Sequence, residues 1–257
     1  MKIATFNVNG IRARLDILLD WLAENEPDVL AIQEIKCEDD KFPIADFEDA
    51  GWHAAVHGQK AYNGVALVSR SPILGVATGF GDPMMPEDCR IISGQVGSVT
   101  VVNTYVPNGS AVGTDKFEYK LKWMERFAAW IGERFRSSDP VVWLGDVNVA
   151  PTEDDVFDPA QHRGKVGFHP DEIERLERIV DWGWTDLFRK FSSGPEHYTF
   201  WEMYIPKSFE RNLGWRIDHV YAAEGLAAKC ASCSIDKAPR ALERPSDHTP
   251  VVAEFGL

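Results

Sequence analysis

Five short segments, far apart along the chain, each set an acidic, amide, phenol or imidazole group beside an expected strand end. They are Thr5-Phe6-Asn7-Val8-Asn9-Gly10, Ile32-Gln33-Glu34, Asn103-Thr104-Tyr105-Val106-Pro107-Asn108, Leu144-Gly145-Asp146-Val147-Asn148 and Ser246-Asp247-His248. Cutting a phosphodiester takes an activated water, neutralisation of the phosphate charge and help for the departing oxygen. These residue types, with a hard divalent cation, supply all three. The chemistry implied is metal-dependent hydrolysis of a phosphodiester.

Glu34 is a hard oxygen ligand suited to Mg²⁺ or Mn²⁺, which keep much of their water and often use only one or two protein carboxylates. Asp146 and Asn148 stand two apart at a strand terminus, so continued strand geometry would point both side chains the same way. The acid would then take a proton from attacking water while the amide donates to a phosphate oxygen. The alternative is an Asx turn leading into Ala150-Pro151-Thr152. Tyr105 precedes the turn Pro107-Asn108-Gly109, which would leave its phenol at a strand exit; a ring-anchored buried tyrosine is the other reading. His248 sits just before the last strand, where imidazole can hold a phosphate or carry a proton. Asp218, within Gly214-Trp215-Arg216-Ile217-Asp218, could orient that imidazole through its other N–H.

The elements that must position these groups alternate. Residues 3–6 read as a strand, Leu15, Leu18, Leu19 and Leu22 recur at helical spacing until Pro27, and residues 29–32 form a second strand. Glu34 then falls just past a strand's carboxyl end, where α/β folds place ligands. Residues 52–106 carry short β-rich runs that read as an antiparallel meander. Phe117, Leu121, Met124, Ala128, Ile131 and Phe135 predict a long helix with a core-facing stripe. Val141-Val142-Trp143-Leu144 is a strand buried on both faces. A helix over residues 170–181 and strands near 198–201, 216–221 and 251–255 complete the reading. The echo between Phe6-Asn7-Val8-Asn9 and Gly145-Asp146-Val147-Asn148 points to two similar halves packed face to face, an α/β/β/α sandwich in four layers, with residues 1–257 as one domain.

With 44% apolar residues the chain can bury a substantial core. Nothing in it reads as a signal peptide or a membrane span, so a soluble cytoplasmic monomer is expected. Cys37, Cys89, Cys230 and Cys233 read as ordinary reduced thiols, because one Cys-x-x-Cys pair without a nearby histidine cannot close a zinc site. The net charge of −13 opposes nonspecific attraction to nucleic acid. A DNA substrate therefore requires a local basic surface, drawn from Arg12, Arg14, Lys36, Lys60, Arg90, Lys116, Lys120, Arg163, Lys165, Lys207, Arg211 and Arg216. Acids in Glu38-Asp39-Asp40 and Glu153-Asp154-Asp155 are expected to face solvent.

The segments resemble, nearly end to end, the exonuclease III family of apurinic/apyrimidinic endonucleases, within the endonuclease/exonuclease/phosphatase superfamily that includes deoxyribonuclease I. The most specific pieces are Phe6-Asn7-Val8-Asn9-Gly10-Ile11-Arg12, Gln33-Glu34, Tyr62-Asn63-Gly64-Val65-Ala66, Tyr105-Val106-Pro107-Asn108, Gly145-Asp146-Val147-Asn148-Val149-Ala150-Pro151, Gly214-Trp215-Arg216-Ile217-Asp218 and Ser246-Asp247-His248. The resemblance implies the four-layer sandwich of packed mixed sheets and a divalent metal held at Glu34 with Asn7 and Asp247, the metal set extending to Asp146 and Asn148. It implies that Asp146 activates water, that Asn148, Tyr105 and His248 surround the phosphate, and that Asp218 pairs with His248. Trp215, with Phe200 or Trp201 and Ile217, would wall a pocket for an extrahelical abasic sugar, whose missing base lowers the cost of flipping; Asn108 and Arg90 join the substrate-binding set. Asn9 stands where some relatives carry aspartate, and His219, by alternation facing away from Asp218, is expected to be structural. Residues 163–172 look variable among relatives and could tune attack at internal abasic sites against 3′ ends.

The expected activity is a DNA repair nuclease on duplex DNA, incising 5′ to abasic sites and clearing 3′ ends. Alternatives are a 3′-end-processing exonuclease with little abasic-site activity, a phosphatase of the same fold on a small phosphorylated molecule, and a DNA-binding protein that has lost catalysis.

Overall fold

The structure, a computed structural model, describes residues 1–86 and 88–257. Its strands are β1 (Lys2–Asn7), β2 (Val29–Gln33), β3 (His53–His57), β4 (Val65–Ser69), β5 (Leu74–Thr78), β6 (Ile91–Val96), β7 (Val99–Tyr105), β8 (Val141–Asp146), β9 (Trp184–Asp186), β10 (Asp218–Ala223), β11 (Cys230–Ile235) and β12 (Val251–Phe255). Among the described residues they form two six-stranded sheets, ordered β11-β12-β1-β2-β4-β3 and β5-β6-β7-β8-β10-β9. The helices that matter here are α1 (Leu15–Asn25), α2 (Ile44–Asp49), α3 (Asp115–Arg134), the one-turn α4 (Pro159–His162) and α5 (Pro170–Val180).

Strand alternation builds the layers. Ile3, Val29, Val101, Val142, Leu144 and Val220 meet in the cluster between the two sheets. Their neighbours of opposite parity turn outward: Ala4, Phe6, Leu30 and Ile32 pack on Leu18, Trp21 and Leu22 of α1 and Phe47 of α2. On the other side Val141, Trp143 and Tyr221 pack on Trp123, Phe127 and Ile131 of α3 and on Leu176 and Ile179 of α5. A strand apolar on both faces, such as β8 with every residue buried, belongs in the middle of such a stack.

The echo noted in the sequence corresponds to matched positions in the two sheets. In the first, β1 pairs parallel with β2 and antiparallel with β12; in the second, β8 pairs parallel with β7 and antiparallel with β10. Asn7 and Asp146 are thus the last residues of equivalent strands.

Several expectations need correction. The 52–106 meander does not stay in one sheet: β3 and β4 belong to the first, β5, β6 and β7 to the second. Residues 198–201 form no strand, only isolated bridges of Phe200 to Trp215 and His248. Asp155 does not face solvent. It is fully buried, bonded by Arg216 Nε at 2.6 Å and by Arg189, and Arg216 also pairs with Asp186 at 2.8 Å. Arg216 and Lys120 are therefore interior charges and leave the basic-surface set. Arg12, Lys60, Lys116, Lys165, Lys207 and Arg211 are exposed.

Candidate active site

The site sits where the inward-facing rows of both sheets run out. Tyr105, Asp146 and Asp218 lie side by side in register on β7, β8 and β10, and Asn7 pairs with Gln33 on β1 and β2. Each has the parity of the inter-sheet residues, so alternation aims their side chains into the seam between the sheets. Beneath them a polar layer joins the sheets: Gln33 Nε2 donates to Asn103 Oδ1 at 2.7 Å and Thr5 Oγ1 at 2.9 Å. Asn103 Nδ2 in turn donates to the carbonyls of Ile32 and Ala66, both at 2.9 Å. In the sequence Gln33 and Asn103 are only parts of motifs, and nothing in their spacing shows that they meet.

Beyond this layer the acids converge. Asn7 Nδ2 donates to Glu34 Oε1 and to Asp146 Oδ2, each at 2.9 Å. His248 Nδ1 lies 2.8 Å from Asp218 Oδ2, and its Nε2 lies 3.8 Å from Asp146 Oδ2. With Nδ1 donating to Asp218, Nε2 is left facing Asp146. The Asp218–His248 pairing drawn from the resemblance is present in the geometry.

Donor atoms of Glu34, Asp146 and His248 lie within 4.8 Å of one another, close enough to share one cation. The two carboxylates provide hard oxygens of the kind a divalent cation takes, and the imidazole could join them only in its neutral form. The expected ligand set is only partly assembled. The Asn7 oxygen turns back to accept the Asn9 N–H at 3.0 Å, so its nitrogen faces the acids. Asp247 Oδ1 accepts from Asn9 Nδ2 at 2.9 Å, and its carboxylate is outside the cluster. Lys36 contacts Glu34 at 2.8 Å and offsets part of the negative charge.

Of its two readings, the Asx turn is the one Asn148 adopts. Its φ of 55° ends the strand geometry, so parity no longer places it beside Asp146. Its N–H donates to Asp146 Oδ1 at 3.0 Å, which is the Asx turn. Its side chain nevertheless reaches the cavity, held by donation to the Val106 carbonyl at 3.0 Å and acceptance from Asn108 Nδ2 at 3.1 Å. Both oxygen and nitrogen are engaged there, away from the acid cluster; this disagrees with a ligand role for Asn148.

Burial disfavours charge on every buried group here, and neighbours decide the outcome. Burial pushes the Asp146 carboxyl up; the His248 charge opposes this, while Asp218 and Glu34 add to it. Burial pulls His248 down, but the Asp218 and Asp146 carboxylates outweigh it and raise the imidazole, favouring the imidazolium. The Tyr105 phenol is driven well above its ordinary range by burial and by the Glu34 and Asp146 charges. It is a donor at neutral pH. Arg90 lies 4.8 Å from the Tyr105 ring centre and donates to its carbonyl at 3.2 Å, bracing the tyrosine.

Next to these groups opens a cavity of about 560 Å³, lined by Asn108, Asn148, Phe200, Trp215 and Ile217 among others. Arg90 and Trp201 are not among its lining residues. Trp201 is fully buried, edge-on to Phe209 at 5.0 Å and donating from Nε1 to Asn212; of the two aromatics proposed as pocket walls, Phe200 is the one that faces the cavity. His162, which the sequence reading passed over, packs edge-on against Trp215 at 4.8 Å. It lies at the end of α4, a single turn too short for a periodic signal. His219 is structural as expected, bonded to Arg216 and to the Val149 carbonyl at 3.0 Å each.

Fold and site together define a nuclease-type α/β sandwich with an acid-rich seam. The sequence from residue 4 to 248 matches the endonuclease/exonuclease/phosphatase family, and the chain belongs to it. Among relatives, an exodeoxyribonuclease III from Haemophilus influenzae is 35% identical, covering 99% of this chain and 100% of its own. The structure of an AP endonuclease from Archaeoglobus fulgidus superposes with a TM-score of 0.97 at 41% identity, covering 100% of both chains. That of the 3′ phosphatase NExo from Neisseria, bound to product DNA hairpin, superposes with a TM-score of 0.94 at 39% identity and the same coverage.

Proposed function

We propose that this chain is a DNA repair nuclease that hydrolyses phosphodiesters in duplex DNA, incising 5′ to abasic sites and removing nucleotides or blocking groups from 3′ ends. The observation that carries this reading is the placement of Asp146 and the Asp218–His248 pair beside a cavity lined by Phe200, Trp215 and Ile217, the Phe200 ring lying 4.8 Å from that of His248. A hydrolytic centre beside an aromatic pocket suits a nucleotide turned out of the stack, and a missing base lowers the cost of turning it out.

A divalent cation, Mg²⁺ or Mn²⁺, held by Glu34 and Asp146 would neutralise charge on the phosphate. The protein groups do the rest. As general base, the Asp146 carboxylate takes the proton of the attacking water. As the new P–O bond forms, the bond to the 3′ oxygen of the upstream nucleotide breaks, and that oxygen takes a proton from solvent water to leave as a 3′ hydroxyl. The His248 imidazolium, fixed by Asp218, faces the non-bridging oxygens as their charge grows, and the Tyr105 phenol and Asn148 amide are further donors.

Asp146→Asn keeps the side-chain shape but removes the base. Binding to an abasic-site duplex, read by fluorescence anisotropy in EDTA, should be retained, while single-turnover incision in Mg²⁺ falls by roughly three orders of magnitude. Near-normal turnover would remove Asp146 from the mechanism.

A further inference from the structure

We propose that the buried Lys120–Glu172 ion pair is a positioning device for this site, setting the catalytic Asn148 and the substrate-facing 164–169 loop in one fixed relation. The inference rests on the nuclease reading above. Lys120, on α3, is fully buried and pairs with Glu172, on α5, also fully buried. The Lys120 ammonium also donates to the Asn148 carbonyl at 2.8 Å and the Asn108 carbonyl at 3.2 Å. Glu172 Oε2 accepts the N–H of Gly167 at 2.8 Å and of His169 at 3.1 Å. Gly167 closes the ring, because its carbonyl accepts the Ala150 N–H at 2.7 Å and it lies against the Trp215 ring.

The bland reading of Glu172 is a helix cap, since with His169 it forms the capping box that opens α5. A cap needs neither full burial nor a lysine from another helix. A buried pair is commonly no better for stability than apolar residues of similar volume, so stability alone gives weak reason for two charges here. What the pair does that apolar residues cannot is direct three donors and two acceptors. Asn148 holds an uncommon positive φ, and the ammonium on its carbonyl fixes that peptide's orientation, hence where its amide meets the phosphate. The carboxylate fixes the loop bearing Gly164, Lys165 and Gly167, which lines the same cavity. An error of about 1 Å in such a relation can cost roughly a hundredfold in rate.

The test compares wild type, Lys120→Met, and Lys120→Met combined with Glu172→Leu, for Tm and for single-turnover kcat and KM on an abasic-site duplex. The single variant strands a carboxylate and should lose both Tm and rate. The double variant should regain most of the lost Tm while kcat stays down roughly ten- to a hundredfold with KM changed less than about threefold. A double variant with restored Tm and wild-type kcat overturns the inference, for the pair would then be structural only. Should the double variant fail to fold, Glu172→Asp keeps both charges and shortens the reach. It should lower kcat at unchanged duplex affinity in EDTA; unchanged kcat overturns the inference. Failure of the wild type to cut any duplex would instead remove the nuclease reading, so the two failures are distinct.

Discussion

Under the proposed function, two tryptophans near the cavity divide substrate recognition from support. Trp215 lines it, whereas Trp201 is buried behind it with its indole N–H bonded to Asn212. Trp215→Ala should therefore raise KM for an abasic-site duplex, by roughly tenfold or more, at a modest loss of stability. Trp201→Ala should leave KM nearly unchanged while costing about 3–5 kcal/mol in a denaturant melt, the usual result of emptying a buried aromatic site. Reversed behaviour would show that the pocket is walled differently. The sequence offered Phe200 and Trp201 as alternatives with no ground to choose, since the loop holding residues 200–201 belongs to no strand and alternation does not apply there. Asp146 is the opposite case: the apolar run before it, the glycine at 145 and its parity all point into the seam.

At the level of elements, the exit of β8 is the constrained point. Gly145 has φ 137°, and a Cβ there would come within 2.0 Å of the Thr104 carbonyl oxygen on β7. Gly145→Ala should either unfold the end of the parallel β7–β8 pair or displace Asp146. The expected cost is about 1–3 kcal/mol by urea denaturation, with a fall in kcat larger than that stability loss would produce. An unperturbed variant would mean that the two strands separate freely. Strand periodicity and the long α3 stripe were legible because they repeat over many residues. The division of residues 52–106 between two sheets was not, because each short run looks alike whichever sheet it joins. The Gln33–Asn103 layer was equally hidden: its partners come from different sheets, and pairing across the seam leaves no pattern in either segment.

For the molecule as a whole, a net charge of −13 says little until the charges are sorted by depth. Two of the basic residues offered for DNA contact are interior, and the Arg216–Asp155 pair is part of a network with Arg189, Asp186 and His219. Burial and the Arg216 charge push His219 down to about 4, below its unfolded value near 6.5. Between those values the unfolded chain binds the proton that the folded one refuses, so this residue's contribution is fully present above about pH 6.5 and lost as pH falls toward 4. Asp155, where burial is outweighed by Arg216, Arg189 and the Thr152 hydroxyl acting together so that its carboxyl is held below the usual range, acts in the same direction at lower pH. His219→Gln should flatten the dependence of the urea midpoint on pH between 4 and 6.5, by a difference integrating to on the order of 3 kcal/mol; identical slopes would contradict a buried neutral imidazole. The purified chain in Mg²⁺ should be given two labelled duplexes, one with an internal abasic-site analogue and one with a recessed 3′ end, with EDTA as control. The expected result is a single incision 5′ to the analogue and shortening of the 3′ end, both abolished by EDTA. Cleavage of neither duplex, or cleavage indifferent to EDTA, would contradict it.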